Sequence, residues 1–260
     1  MPLCTDPARV RARLNTDRPW AAYALGDLSP ALASRTEWHL GPDGAILMLY
    51  RAFETAVLFT FGPPEAVAPL LAEVADEPQF YLSVRPEILP LVQARFEVTN
   101  LDHMWRMTLD RAAFRPPPPG AVALTLADLP RLQALYADGQ ATHEAPDFFD
   151  TDMLAQGVFY GVAEGGVLVA AAGTHFVAPE ERVATIGNVY TRRDRRGRGL
   201  ASQATGAVAA ALLAHQPPLD LIALNVNQAN PAAVAVYERL GLRKIAPFYE
   251  GLARPRTARA

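Results

Sequence analysis

The sequence predicts a mixed α/β fold, with a mainly antiparallel sheet and flanking helices, built twice in tandem. Three observations carry this. Each half runs through short apolar strands joined by tight turns and then switches to strand-helix-strand, the order of a mixed sheet. The run Arg115-Pro116-Pro117-Pro118-Pro119-Gly120 separates the halves, because consecutive prolines supply no ladder hydrogen bonds and favour a stiff extended segment. The order of elements in the first half matches that in the second, as a repeat does. The expected domains are residues 1–115, a linker at 116–120 and residues 121–260.

In the first half, Glu37 to Leu40 and Ile46 to Phe53 flank the turn Gly41-Pro42-Asp43-Gly44, and Ala56 to Phe61 makes a third strand before Gly62-Pro63-Pro64. A helix (Glu65 to Ala75), a strand (Gln79 to Leu82), a helix (Pro86 to Phe96) and a strand (Met104 to Leu109) follow. Ile46-Leu47-Met48-Leu49-Tyr50 is apolar on both faces, which implies cover from two sides. The second half reads as a strand (Val122 to Leu126), a helix (Leu129 to Asp138) with Asp128 as cap, a polar loop and short helix (Gln140 to Gln156) and a strand (Phe159 to Glu164). After Gly165-Gly166 come strands from Val167 to Phe176 and Arg182 to Thr191. A helix (Ala201 to Ala214), a strand from Leu221, a helix after Asn230 and a strand (Arg243 to Gly251) complete the chain.

Composition sets limits. Half of the 260 residues are hydrophobic and 20% charged, as in a globular protein with sizeable cores. The net charge of -3 argues against nucleic acid as the main partner, which needs a broad basic surface. The first half carries 11 basic and 14 acidic residues and the second 13 of each, so the second lacks the acidic excess. Cys4 is the sole cysteine, which rules out an intrachain disulfide and a cysteine-rich metal site. No signal-peptide pattern opens the chain and no apolar run reaches membrane length, so a cytoplasmic protein with no membrane partner is expected. The oligomeric state is not legible.

The most informative stretch is Arg192-Arg193-Asp194-Arg195-Arg196-Gly197-Arg198-Gly199-Leu200-Ala201, at a strand-to-helix junction. Glycines there let backbone N–H groups approach a ligand, and a helix N-terminus beside arginines suits a pyrophosphate. About thirty residues on, Asn230 caps a helix with Pro231 in its first turn and Gly241 just past its end. At 3.6 residues per turn Asn230, Ala233 and Tyr237 share one face, so an amide and a phenol project beside a small residue.

Together, Arg196-x-x-Gly199-x-Ala201 after a strand and Asn230-x-x-Ala233-x-x-x-Tyr237 leading into Leu240-Gly241-Leu242 resemble the acetyl-coenzyme A-binding core of the GNAT superfamily of N-acetyltransferases. The resemblance covers the chain from about Ala121 onward. It implies two tandem GNAT-like acyl-CoA N-acyltransferase folds, the first degenerate. It further implies acetyl-coenzyme A as co-substrate, no metal, and a small primary amine (amino acid, amino sugar or peptide N-terminus) as acceptor. By the resemblance a backbone N–H among Val189, Tyr190 and Thr191 polarises the thioester carbonyl. Arg196, Gly197, Arg198, Gly199, Leu200, Ala201 and Ser202 cradle the pyrophosphate, Asn225, Asn230 and Ala233 line the site, and Tyr237 protonates the leaving sulfur. A phenol of pKa about 10 remains protonated at neutral pH and can serve.

The general base stays open. Glu144 is favoured among Glu144, His143, His175 and a water held by Asn188. A non-catalytic acyl-coenzyme A-binding regulator is the alternative reading, disfavoured by the presence of Tyr237. In the first half Pro63 and Pro64 have no N–H to donate. Aligning Pro86 with Pro231 puts Arg85 opposite Asn230 and Val92 opposite Tyr237, so that half is expected to hold no coenzyme.

Overall fold

The computed structural model describes residues 3–140, 142, 144–146 and 148–256; His143 lies outside them. The chain divides into two compact units, Met1–Arg106 with Val226–Ala229 and Lys244–Ala260, and Met107–Asn225 with Asn230–Arg243. The division is not one cut at the proline run, since the chain returns to the first unit for its last strand.

The first unit opens with α1 (Pro7–Leu14), where Asp6 accepts a hydrogen bond from the Ala8 N–H at 3.0 Å and Pro7 pre-sets the first turn. Its Val10 and Leu14, one turn apart, are buried. There follow α2 (Ala22–Gly26), β1 (Thr36–Leu40), β2 (Ile46–Tyr50), β3 (Ala56–Phe61), α3 (Pro64–Val67) continued by a 3-10 turn, β4 (Phe80–Val84), α4 (Leu89–Arg95) and β5 (Phe96–Leu109). In β2, Ile46, Leu47, Met48 and Leu49 are all buried, as its unbroken apolar run requires. Strand β5 starts at Phe96, well before the Met104 expected, and its polar first part is largely exposed.

The second unit contains β6 (Val122–Ala123), α5 (Leu129–Gln140), α6 (Thr151–Gln156), β7 (Tyr160–Glu164), β8 (Val167–Ala178), β9 (Val183–Thr191), α7 (Leu200–Leu213), β10 (Leu221–Asn227), which ends in the first unit, and α8 (Pro231–Leu240). Strand β11 (Leu242–Pro255) then crosses into the first unit at Lys244. There the strand order is β1-β2-β3-β4-β11-β5, with β3 and β4 parallel and β11 antiparallel to β4. In the second unit the order is β10-β9-β8-β7-β6, antiparallel except for the parallel pair β9 and β10. Each unit thus joins a parallel pair through a helical crossover. Buried Leu58, Val67, Leu70, Leu82 and Val92 build the core of the first, and Tyr136, Leu154, Phe159 and Tyr190 part of that of the second. Such side chains contribute about 1.5–3 kcal/mol each when fully buried.

Candidate functional site

The parallel pair of the second unit is paired only over Val183–Thr185 and Leu221–Ala223, although β9 continues to Thr191 and β10 to Asn227. The tip of β9 therefore has no strand in register on its β10 side. The same tip is bulged. Ala171 pairs with Tyr190 and Gly173 with Gly187, so Asn188 and Val189 stand opposite Ala172 alone, and Asn188 takes φ 52°. A bulge of this kind leaves a backbone group outside the ladder. Val189, Tyr190 and Thr191, nominated by sequence, lie at and just beyond it.

Past Thr191 the chain makes a 3-10 turn (Arg193–Arg195) and enters α7 through Gly197 (φ 77°) and Gly199 (φ 76°). Both need the left-handed region that glycine occupies without cost. A Cβ at either would meet nothing within 4 Å, so the ground above the turn is open. No side chain caps α7. Its first-turn donors, on Leu200, Ala201 and Ser202, therefore remain available to an anion at the positive end of the helix dipole. The side-chain hydroxyl of Thr191 is buried with no hydrogen-bond partner among the described residues. These features fit the diphosphate of an acyl-coenzyme A.

The arginines are less free than their number suggests. Arg192 is paired with Asp194 at 2.6 Å, Arg195 with both Asp194 (2.6 Å) and Glu164 (3.0 Å), and Arg198 with Glu164 at 2.8 Å. Glu144 takes Arg196 at 2.8 Å and Arg193 at 3.3 Å. Exposed pairs of this kind are weakly held, so a phosphate can displace them. For Glu144 the consequence is chemical. The hydrogen bonds from Arg196 and then Thr142 hold its carboxyl down at about 2. While these pairs stand the carboxylate is a weak proton acceptor, and Glu144 anchors the arginine turn. His175 fares no better: burial pushes it down to about 4, and its ring lies where a Cβ on Gly187 would fall.

On α8, the Asn230 side chain accepts the Ala233 N–H at 3.0 Å, and is committed to the cap. Tyr237 sits two turns on and is buried; desolvation pushes its phenol up to about 12, so it is protonated across the physiological range. Asn225, on β10, is half-buried.

Two residues that sequence reasoning passed over hold the tip of β9. Tyr136 donates from its hydroxyl to the Asn188 carbonyl at 2.7 Å. Asp138 accepts the Arg193 N–H at 3.0 Å and the Tyr190 hydroxyl at 2.9 Å, bonds that lower its pKa. Their signal was faint: two polar residues on α5 whose partners lie some fifty positions on. Among the described residues no group of three or more His, Cys, Asp or Glu could hold a metal, and no helix is long and apolar enough to cross a membrane.

Residues 125–242 match the model of the acetyltransferase (GNAT) family. No curated protein sequence matches the chain. A GCN5-related N-acetyltransferase structure from Kribbella flavida aligns with TM-score 0.65 at 17% identity, covering 93% of this chain and 95% of that one. A GNAT-family protein from Novosphingobium aromaticivorans DSM 12444 gives 0.65 at 23%, covering 93% and 100%. A tandem GNAT protein from the clavulanic acid biosynthesis pathway gives 0.57 at 15%, covering 98% and 97%. At these identities the likeness is one of fold, and it extends over both units.

Proposed function

We propose that this chain, which carries a GNAT acetyltransferase domain within two tandem folds of that kind, transfers an acetyl group from acetyl-coenzyme A to a primary amine of a small molecule in the cytoplasm. Acyl transfer from an acyl-coenzyme A is the reaction of the family; acetyl as the group and an amine as acceptor are the reading offered here. What supports it most is a single coincidence: an uncapped helix N-terminus under open space follows directly from a bulged strand tip with no partner on one side.

When bound, the thioester supplies an activated acyl carbon and a thiol leaving group. The N–H groups of Leu200, Ala201 and Ser202 would hold its diphosphate, with Arg196 and Arg198 exchanging carboxylate for phosphate. A backbone N–H at or just beyond the bulge, from Val189, Tyr190 or Thr191, stabilises the charge that develops on the carbonyl oxygen. Tyr237 donates toward the sulfur as the carbon–sulfur bond breaks. With a phenol near 12 facing a thiol of about 8.5, full transfer is uphill, so sharing the proton in a hydrogen bond is the larger part of the role. The proton lost by the amine leaves through water, which balances the proton gained by sulfur.

The test is thiol release from acetyl-coenzyme A over a panel of primary amines. The expected result is amine-dependent release with matching acetylated product. Coenzyme A binding without release for any amine would favour a non-catalytic regulator.

A further inference from the structure

Asn188 stands in the bulge of β9, with 4% of its surface exposed. Two of its polar groups are accounted for, by three hydrogen bonds. Its carbonyl accepts the Tyr136 hydroxyl at 2.7 Å, and its Nδ2 donates to the Thr174 carbonyl at 3.3 Å and to Met153 Sδ at 3.5 Å. Thr174 offers an acceptor, so the side-chain nitrogen must face it, and this fixes the amide's orientation. Oδ1 is thereby left buried with no hydrogen-bond partner among the described residues. An unsatisfied buried acceptor is costly, so Oδ1 calls for a donor from outside the chain, a ligand or an ordered water.

The position says which donor. Asn188 is adjacent to Val189, the bulge residue assigned to the thioester oxygen, and shares a strand face with Tyr190. That face is covered by α5 and α6: Tyr190 bonds to Asp138 on α5, and Asn188 touches Met153 on α6. A nucleophile attacking beside the bulge must arrive with its lone pair toward the acyl carbon, and a primary amine then has N–H groups directed elsewhere. We propose that Asn188 is the positioning residue for the acceptor, its Oδ1 accepting a hydrogen bond from the attacking amine. An amide oxygen takes no proton at neutral pH, so this contact orients the amine and leaves the proton balance unchanged. A positive φ suits asparagine better than most residues, so one residue type serves both the bulge and the amine. The proposal rests on the acyl-transfer reading above.

The test uses Asn188→Gly, which keeps the left-handed backbone and removes the side chain. Ethylamine and 2-phenylethylamine serve as acceptors at pH 9, and slow hydrolysis of acetyl-coenzyme A by water is measured in parallel with calorimetric affinity for coenzyme A. The expected result is a loss of about 10- to 100-fold in kcat/KM for both amines, with hydrolysis and coenzyme affinity within about twofold of wild type. A parallel fall of aminolysis, hydrolysis and affinity would reduce Asn188 to a support of the bulge and overturn the proposal. Unchanged aminolysis would overturn it too, leaving Oδ1 with a water. If the wild-type protein binds coenzyme A yet acetylates neither amine, the amine-acceptor reading itself fails and this proposal with it.

Discussion

The two parallel strand pairs show how one fold is kept open in one copy and packed shut in the other. Pairing of β9 with β10 stops at Thr185 and Ala223, far from the strand ends. Pairing of β3 with β4 continues to Phe59 and Ser83, close to theirs. Above Gly197 and Gly199 lies open space, whereas a Cβ on Gly62 would meet Ala45 at 3.1 Å. Helix α7 presents free first-turn donors, whereas α3 opens with Pro63 as its cap and Pro64 in its first turn, neither with an N–H. Tyr237 keeps a phenol on α8; helix α4 of the first unit contributes fully buried Val92 to an apolar core. An open strand tip and a complete core compete for the same volume.

Deletion of residues 1–115 is expected to have the largest effect. It removes β4 and β5, the neighbours of β11 in the first unit, and exposes a strand edge and apolar surface. The remainder should aggregate, as size-exclusion chromatography will show; a monodisperse, fully active fragment would make the first unit dispensable.

Next comes Tyr237→Phe. Removing the hydroxyl should lower turnover by about 10²-fold, the lower end of general acid contributions because the phenol is poorly matched to the thiol. Affinity for coenzyme A should barely change. Wild-type turnover under chemistry-limited conditions would make Tyr237 a core residue like Val92.

The smallest expected effect belongs to Glu144→Gln. A carboxyl held at about 2 is ionised at any working pH, so the substitution should change turnover by less than about threefold and leave the acid limb of the pH–rate profile in place. The sign for stability is fixed by the same shift. A folded pKa below the ordinary carboxylate value gives a contribution present at neutral pH and lost as pH falls through the folded value, so the variant should differ from wild type near neutrality and converge with it only in strong acid. Collapse of turnover with loss of the acid limb would restore Glu144 as the base.

The glycine entry to α7 was legible because glycine spacing and caps are local chemistry. Asn230, Pro231 and Gly241 bound α8 as read, and the strand order of the second half followed from its turns. What escaped depended on distant partners. Helix α1 has only Val10 and Leu14 as an apolar stripe, and the Asp6-Pro7 cap was its one clear signal. The first part of β5 is polar and exposed, and backbone pairing rather than side-chain pattern makes it a strand. Pro86 does not open the helix it was aligned to open, since α4 begins at Leu89. The carboxylate partners of the arginines, and the Tyr136 and Asp138 bonds that hold the tip of β9, join residues far apart in the chain.

The most direct test of the contrast between the two copies is a calorimetric titration with coenzyme A of the full chain and of Gly199→Pro. Proline cannot adopt the φ of 76° found there and removes a backbone N–H, so it should undo the entry to α7 without touching the first unit. One site per wild-type chain, with affinity lowered at least about tenfold in a folded variant, is the predicted result. Two sites per chain, or one site whose affinity survives Gly199→Pro, would contradict it.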